Sequence, residues 1–464
     1  MLKSQILILS AFALAASAFA ADSDFESMFR ERAKCAVSVR YSVELEENRN
    51  LETTSGTVID ETGLIIVPEK EIPVWAKPSE LKDFKVFFPG GDSEGLPADY
   101  LGADAATGMN FIRIRGGLPK NLVPYSKFAR AKTNYGKPVW GVGIICGDGV
   151  YEYYVLKSYV AAIGKRPLEE FSCGDRVANV GAPVFDSDGN FVGFGQTEWI
   201  DNLRLFAEKI KGMPITLADP SLTNSFILPE IVEDAVKHIP ENPSMLRCGW
   251  IGLVNTKVLK RDVAKMMNID KCALVVSEVV KDSPSGRAGL QKGDIITRAD
   301  GRDIEELTRE SFTLNDFYMK CARKKPNDKM TLTVIRGSDA PKDFELTVAA
   351  NPKHIREAQS RYFKRLGFSV REFLFQDAVG RKNVDKNSDE AVVKYVKPNS
   401  PAASALPSRL SGDDIIKEIN SKPVATYTEA VAELEKINAD DKAKELVILA
   451  EDFNETKVVR IKLD

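Results

Sequence analysis

Short apolar runs separated by turn residues dominate the first part of the chain. Runs such as Ala36–Val43, Leu64–Val67 and Tyr151–Ile163 recur between about residues 35 and 196, with Gly or Asp at the joints between them. Many short, β-branched runs of this kind are typical of a β-barrel or a β-sandwich. The pattern therefore predicts an all-β region over this part of the chain.

A helical period follows the β region. Over Ser225–Ile239 apolar residues recur at the spacing of one helix face. The residues on that face are Ile227, Ile231, Val232 and Ala235. Pro240 and Pro243 end the pattern, and they predict a linker between domains.

Two related copies of a unit of about 100 residues follow, a size typical of a compact domain. The first copy contains Gly249-Trp250-Ile251-Gly252-Leu253, then Ser283-Pro284 and Gly293-Asp294. The second contains Leu366-Gly367-Phe368-Ser369-Val370, then Ser400-Pro401 and Asp413-Asp414. A helix and a final strand should close each copy, with the helices around Leu314–Arg323 and Tyr427–Ile437. Thr426 and Glu429 are spaced as a capping box.

The small-residue turn and the Ser-Pro…Gly-Asp-x-Ile motif resemble the PDZ domains of bacterial proteases. Small residues allow backbone N–H groups to converge on a peptide's terminal carboxylate, and the next strand edge can pair with the peptide. The predicted peptide-binding residues are Gly249, Trp250, Ile251, Gly252, Leu253, Leu314, Phe317, Leu366, Gly367, Phe368, Ser369 and Val370.

Each apolar member of this set could instead fill a core, as could the other predicted groove residues Cys321, Ala430, Leu434 and Ile437. The sequence favours a groove in the first copy over one in the second. In the second copy a Gly-Leu turn is replaced by Ala405-Leu406-Pro407.

Composition and charge exclude several classes of chemistry. The 464 residues include 64 Lys and Arg against 67 Asp and Glu, a formal net charge of −3, which argues against a nucleic-acid-binding protein. The only histidines are His238 and His354, so the first half has no imidazole base or ligand. We expect no metal site and no cofactor.

Six cysteines leave their own chemistry open. They are Cys35, Cys146, Cys173, Cys248, Cys272 and Cys321, and none forms a C-x-x-C pair. Disulfides and buried free thiols both fit this spacing in an exported protein.

The N-terminus predicts export. Lys3 precedes the apolar stretch Ile6–Ala16, and Ala18-Phe19-Ala20 is a cleavage-site pattern, so residues 1–20 are interpreted as a signal peptide. A short membrane anchor is the alternative. Since no later stretch approaches ~20 apolar residues, we expect no stable membrane span and a location in the periplasm of a Gram-negative-type bacterium.

An exported β-rich domain, a helix and two PDZ-like copies together resemble the HtrA/DegP family of trypsin-like serine proteases. The resemblance implies a mainly β fold with α+β modules, namely a chymotrypsin-like double β-barrel followed by two PDZ domains. The implied boundaries are 1–20 for the signal peptide, 21–240 for the protease-like domain, 245–352 for the first PDZ domain and 362–464 for the second. Family members form trimers, and Phe25, Met28 and Phe29 resemble the segment that makes those contacts.

The catalytic positions of the family carry other residues in this chain. Lys70 lies where the family has its histidine, after the strand Thr54–Ile59. Gly108 replaces the aspartate that orients that histidine, and Val180 replaces the nucleophilic serine. Triad members act as a unit, so the resemblance implies a degenerate triad and no catalytic residue.

On this basis we expect an inactive serine protease homologue rather than an enzyme. It would bind unfolded or C-terminally exposed polypeptides through its PDZ domains, as a chaperone, scaffold or regulator in protein quality control of the cell envelope. Its partners would be polypeptides or protein C-termini, within a homo-trimer or a mixed oligomer, and not nucleic acid. The alternatives are an endopeptidase with non-standard catalysis and a regulatory subunit of oligomers with active relatives.

Overall fold

The computed structural model describes residues 26–463 apart from 69–70, 74, 126–132, 148–149, 167, 197–208, 211–212, 215–221, 224, 228–229, 244–246, 308, 387 and 454. The described residues form two compact units. One lies within Met1–Leu246 and Leu307–Met319, and the other comprises Arg247–Glu306 and Lys320–Asp464. The predicted signal peptide lies outside the described residues.

The first unit begins with a closed six-stranded barrel in the order β1-β2-β3-β6-β5-β4. Residues 26–33 form a helix, α1, that precedes it. The strands are β1 Ala36–Glu44, β2 Arg49–Val58, β3 Leu64–Val67, β4 Leu81–Phe87, β5 Leu96–Ala103 and β6 Asn110–Ile114. Its interior is apolar and aromatic: the rings of Tyr41 and Phe84 stack with centroids 5.1 Å apart.

A second closed barrel follows in the order β11-β12-β16-β9-β8-β7. The strands of this region are β7 Pro138–Gly147, β8 Val150–Arg166, β9 Leu168–Cys173, β10 Ala178–Asn179, β11 Pro183–Asp186, β12 Phe191–Gly195, β13 Lys209–Ile210, β14 Met213–Pro214, β15 Leu222–Thr223 and β16 Ser225–Ile227. The double barrel predicted for the first half is confirmed.

The predicted linker helix is shorter than its apolar period. Helix α2 covers Glu230–Val236, whereas Ser225–Ile227 forms strand β16 between β12 and β9. The prediction of helix from Ser225 onward is therefore wrong at its start, because Phe226 and Ile227 are buried as barrel residues.

The second unit contains the first of the two repeated copies. Its strands are β17 Gly249–Trp250, β18 Leu253–Val254, β19 Lys257–Val258, β20 Leu274–Val275, β21 Glu278–Val279, β22 Ile295–Ala299, β23 Arg302–Asp303, β24 Lys329–Ile335, β25 Lys342–Thr347 and β26 Ala349–Ala350. The helices of this stretch are α3 Arg261–Met266, α4 Pro284–Arg287 and α5 Glu310–Ala322, of which α5 as far as Met319 belongs to the first unit.

The second copy is built around a single sheet. Its strands are β27 Ser360–Phe363, β28 Phe368–Glu372, β29 Ala391–Val396, β30 Leu406–Pro407, β31 Ile415–Ile419, β32 Lys422–Pro423, β33 Glu445–Asp452 and β34 Glu455–Lys462. Its helices are α6 Phe375–Gly380 and α7 Tyr427–Ala439, with short 3-10 helices at Ile355–Glu357 and Ala402–Ser404. The predicted capping box is present: the Thr426 side chain accepts from the Glu429 N–H, and the Glu429 carboxylate accepts from the Thr426 N–H.

None of the helices in the described part of the chain is both long enough and apolar enough to cross a bilayer.

Candidate functional site

The predicted nucleophile position lies in a fixed loop between β10 and β11. Val180 is only 6% exposed. The next residue, Gly181, has φ +86° and would bring a Cβ within 2.4 Å of the Ser55 carbonyl oxygen. The Gly181 carbonyl also accepts a hydrogen bond of 3.1 Å from the Thr57 hydroxyl. The loop is thus packed tightly on β2, and its residue 180 carries no atom that could attack a carbonyl.

The turn around Gly108 also lies close to Pro68. The Asn110 side-chain amide donates to the Gly108 carbonyl at 3.2 Å and to the Pro68 carbonyl at 3.3 Å. Pro68 in turn is the neighbour that a Cβ on Gly181 would meet at 2.9 Å. Gly108 and Gly181, the residue after Val180, therefore both lie near Pro68. Lys70 lies outside the described residues.

A polar pair in the first barrel was missed by the sequence reasoning. The Thr54 hydroxyl donates to the Glu71 carboxylate at 2.9 Å. Burial raises the pKa of Glu71, against the effect of that hydrogen bond. Thr54 is 6% exposed, so a polypeptide substrate cannot reach it, and the pair stabilises the barrel. The sequence signal was a glutamate directly before the buried Ile72.

The turn of the first PDZ-like copy is held by its carbonyl groups. The Ile251 carbonyl accepts from the Ser285 N–H at 2.9 Å, and the Gly252 carbonyl accepts from the Val280 N–H at 2.9 Å. N–H and C=O groups on a trans peptide point in opposite directions. The N–H groups of residues 252 and 253 therefore point away from the segment 280–285.

The second copy repeats these bonds residue for residue. The Leu366 carbonyl accepts from the Ala402 N–H at 3.3 Å, and the Gly367 carbonyl accepts from the Lys397 N–H at 2.9 Å. In this copy the Gly367 N–H donates a hydrogen bond to the Phe363 carbonyl oxygen, at 2.8 Å. The turn thus presents an N–H group to an oxygen acceptor on its outer side.

The strand edge predicted for a peptide in the second copy is occupied by the chain. Strand β28 pairs with β29 on one side and with β27 on the other, from Ser360 opposite Arg371 to Phe363 opposite Phe368. The edge of β28 that a peptide would use is thus paired with β27 in this structure, and the peptide-binding role of Leu366, Gly367, Phe368, Ser369 and Val370 remains a prediction. The hairpin with β27 takes the hydrogen bonds that a peptide would need.

The helix residues predicted to line the grooves are largely core residues. Phe317 is 2% exposed, and Cys321 lies with its Sγ 3.9 Å from the Met330 sulfur. Ala430 and Leu434 are fully buried in the core of the second copy. Leu314 and Ile437 are partly exposed and remain predictions.

The described cysteines Cys35, Cys173, Cys248, Cys272 and Cys321 are free thiols. Burial raises the pKa of the Cys35, Cys173 and Cys321 thiols to about 12.

The two histidines have local structural roles. His238 Nδ1 donates to the Asp234 carbonyl at 2.8 Å, and the His354 side chain accepts from the Arg356 N–H at 3.3 Å.

The N-terminal helix packs within the first unit, where Met28 lies against the β11–β12 turn of the second barrel. Phe29 contacts the core of the first unit, and a Cβ on Gly189 would meet the Met28 sulfur at 2.6 Å. Phe25 lies outside the described residues. The trimer that these residues suggested remains a prediction.

Comparison with known proteins identifies the relatives of this fold. A family model for the PDZ domain matches residues 252–348. The chain is 25% identical over 377 residues to a protein of Brucella suis biovar 1 (strain 1330) named probable periplasmic serine endoprotease DegP-like. The aligned region covers 80% of this chain and 66% of that protein. A probable periplasmic serine endoprotease DegP-like of Pseudomonas savastanoi pv. phaseolicola is 26% identical over 364 residues, 74% of this chain and 68% of that protein.

Solved structures with the same fold include the HtrA-type protease AlgW with decapeptide (TM-score 0.51, 17% identity, 71% of this chain and 99% of that chain). The HtrA-type protease AlgW with tripeptide has a TM-score of 0.52 at 18% identity, over 71% of this chain and 97% of that chain.

The sequence alignment with the Brucella relative covers just under two thirds of the length of that relative.

The chain is a homologue of the HtrA/DegP serine proteases and carries a PDZ domain. The predicted periplasmic location is confirmed by the names of the relatives. The expectation that the chain is no enzyme is contradicted, because those relatives are named serine endoproteases. The interpretation of positions 70, 108 and 180 as a degenerate triad remains a prediction about single residues.

Proposed function

We propose that this chain binds polypeptides in the periplasm through its first PDZ domain, at the turn formed by Gly249–Gly252 and the following strand β18. The observation that carries the proposal is the behaviour of the matching turn in the second copy. There the Gly367 N–H holds an oxygen acceptor, the Phe363 carbonyl, at 2.8 Å. Gly252 occupies the same place in an equally fixed turn, so its N–H faces the position of a ligand oxygen.

A terminal carboxylate is the ligand that suits such a turn. Converging backbone N–H groups form an anion-binding concavity, and hydrogen bonds to a charged acceptor are worth about 1.5–3 kcal/mol. The residues upstream of the carboxylate would extend along β18 as an added strand. Strand β17 pairs with β26, through Gly249 opposite Ala350, and not with β18.

The polypeptides bound in this way would be unfolded chains or proteins with exposed C-termini. Strand addition uses backbone groups for affinity and is tolerant of sequence. This mode fits a role as chaperone, scaffold or regulator in quality control of the cell envelope. Solved relatives were captured with a decapeptide and a tripeptide, which supports a peptide as the ligand class.

The test is a titration of the full mature chain with a fluorescent decapeptide ending in apolar residues and a free carboxylate. The control is the same peptide with an amidated C-terminus. We expect the amide to bind about tenfold or more weakly, since it lacks the charged acceptor. Equal binding of the two peptides, or no binding of either, would refute the proposal.

A second candidate function is endopeptidase activity, which is favoured by the names of the relatives. Valine has no nucleophilic atom, so hydrolysis would need a nucleophile other than residue 180. The test is cleavage of casein by the purified chain. Turnover that persists in Val180→Ala and disappears in Lys70→Ala would support catalysis by a non-standard group.

A further inference from the structure

The strand before the turn follows different paths in the two copies. In the first copy β17 joins the last strand, β26, with Trp250 opposite Ala349. In the second copy β27 folds back on β28, and the last strand β34 pairs instead with β30, through Leu406 opposite Arg460. In the second copy, therefore, the strand before the turn pairs with the strand after it, whereas in the first copy it pairs with β26.

Strand β27 lies where an added peptide strand would lie. It runs antiparallel to β28 and also contacts α7, where the Arg361 Nε lies 3.0 Å from the Glu435 carboxylate. Arg365, in the turn between β27 and β28, is tied to the C-terminal end of α7 and to the loop that follows it. The Arg365 guanidinium donates to the Ile437, Asp440 and Ala443 carbonyls at 3.0, 2.7 and 2.6 Å. Strand β28 and helix α7 thus have the chain's own segment between them.

The segment also fills the place of a peptide's last residue. Phe363 is 1% exposed, belongs to the core of the second copy, and its ring centroid lies 5.9 Å from that of Phe368. Its carbonyl oxygen takes the Gly367 N–H, which a terminal carboxylate would otherwise receive. An apolar side chain and an oxygen acceptor at this turn are the two features that a C-terminal peptide would supply.

We infer that β27 is an internal ligand of the second PDZ domain, which takes no peptide until this strand leaves. The inference rests on the proposed function, since it uses the same binding mode. Each chain then binds one peptide, at the first domain, and the second domain is an autoinhibited site for a peptide of the same class.

Release of β27 can be designed from its contacts. The Glu372 N–H donates to the Gln359 carbonyl, and hydrogen-bonded pairs alternate along an antiparallel ladder, so Arg361 and Val370 form the next such pair. Arg361→Pro removes the N–H of residue 361, which donates to β28, and also removes the ion pair with Glu435.

Arg361→Glu places two carboxylates at the position of the Arg361–Glu435 ion pair and leaves the backbone unchanged. Adding Glu435→Arg to the same chain restores an attractive pair. Arg460→Glu is the matched control, because Arg460 faces Glu445 in a comparably exposed pair of the same domain.

The experiment is hydrogen exchange on the full chain with and without the free-acid decapeptide. In the wild type the peptide should slow exchange at residues 251–254 and leave residues 360–363 and 368–372 unchanged. Arg361→Glu should speed exchange at 360–363 about fivefold, with reversal in the double variant and no effect of Arg460→Glu. In Arg361→Pro the peptide should also slow hydrogen exchange of the amides of residues 368–372. The number of peptides bound per chain should rise from one to two.

Several results would overturn the inference. One is peptide protection of 368–372 in the wild type. Another is a released β27 in Arg361→Pro with no peptide at 368–372, while 251–254 still respond. Continued protection of 360–363 in both Arg361→Pro and Arg361→Glu would show that the strand cannot be displaced. A released second domain that binds peptide beside an unresponsive first domain would instead refute the proposed function and leave this inference standing.

Discussion

The Ser283 side chain lies against Gly252 so closely that a Cβ on the glycine would stand 2.1 Å from it, and Ser400 bears the same relation to Gly367 at 2.2 Å. Both glycines have positive φ, +84° and +78°. A serine that follows the turn by about thirty residues therefore fixes the turn in each copy. This contact explains why glycine is needed at both positions.

Gly252→Ala should weaken peptide binding about tenfold or more, because the new methyl must displace Ser283 and move the turn. Gly289→Ala is the control, since Gly289 has φ +86° and open space around its Cβ position. Both variants carry similar backbone strain, but only Gly252→Ala disturbs the turn. A loss of peptide affinity in Gly252→Ala alone is therefore due to the turn and not to strain. Equal affinity in the two variants would show that the turn is not the binding element.

Asp377→Ala should destabilise the second copy by about 3 kcal/mol, because it leaves the buried guanidinium of Arg371 with only the exposed Asp413 carboxylate, at 3.1 Å, as an acidic partner. Arg371 is 3% exposed, and its guanidinium donates two bonds to the Asp377 carboxylate, at 2.6 and 2.8 Å. Glu435→Ala breaks an exposed pair and should cost under about 1 kcal/mol. Urea unfolding followed by hydrogen exchange in this domain measures both; similar costs would contradict the prediction.

Stability of the second copy should fall in acid partly through Glu390. Burial opposes ionisation, but hydrogen bonds from Lys386, Lys417 and Ser388 outweigh it and lower the pKa of Glu390 to about 2. A depressed pKa stabilises the fold above the unfolded value near 4.5, and this contribution is lost between about pH 4.5 and pH 2.

Glu390→Gln should therefore reduce the difference in unfolding free energy between pH 6 and pH 3 by about 1–2 kcal/mol, after allowance for screening by solvent. Glu345→Gln is the control, because its pair with Lys329 is largely exposed. An unchanged acid dependence in Glu390→Gln would contradict the assignment.

Cys35, Cys173 and Cys321 should resist alkylation by iodoacetamide at pH 8 in the folded chain. They are buried, and their pKa values are raised to about 12, so the reactive thiolate is scarce. In urea all three should be modified, because they are thiols and not disulfides. Peptide mass mapping reports each site, and modification in the native state would contradict their burial.

The sequence predicted most of the fold because local patterns and packing agree. The run Tyr151–Ile163 marked strand β8 over Val150–Arg166, and the helix expected over Leu314–Arg323 is Glu310–Ala322. The predicted start of the linker helix was wrong because Phe226 and Ile227 fit a buried strand as well as a helix face. A helical period cannot separate these two cases.

The candidate site was predictable only in part. The glycine turns and their serine partners follow from the repeated motif, since glycine is the residue for positive φ. The path of β27 could not be foreseen, because the strand before the turn can form a local hairpin, as in the second copy, or a long-range pair, as in the first, and local patterns do not choose between them. The Thr54–Glu71 pair was missed for the same reason: its members lie on different elements.

The most direct test of the account is hydrogen exchange at Ile251–Val254 in the full chain, with saturating decapeptide as free acid or as amide. The account predicts that the free acid slows exchange of these amides several-fold and that the amide has much less effect. Unchanged exchange at these residues under conditions where the free acid is bound elsewhere on the chain would contradict it.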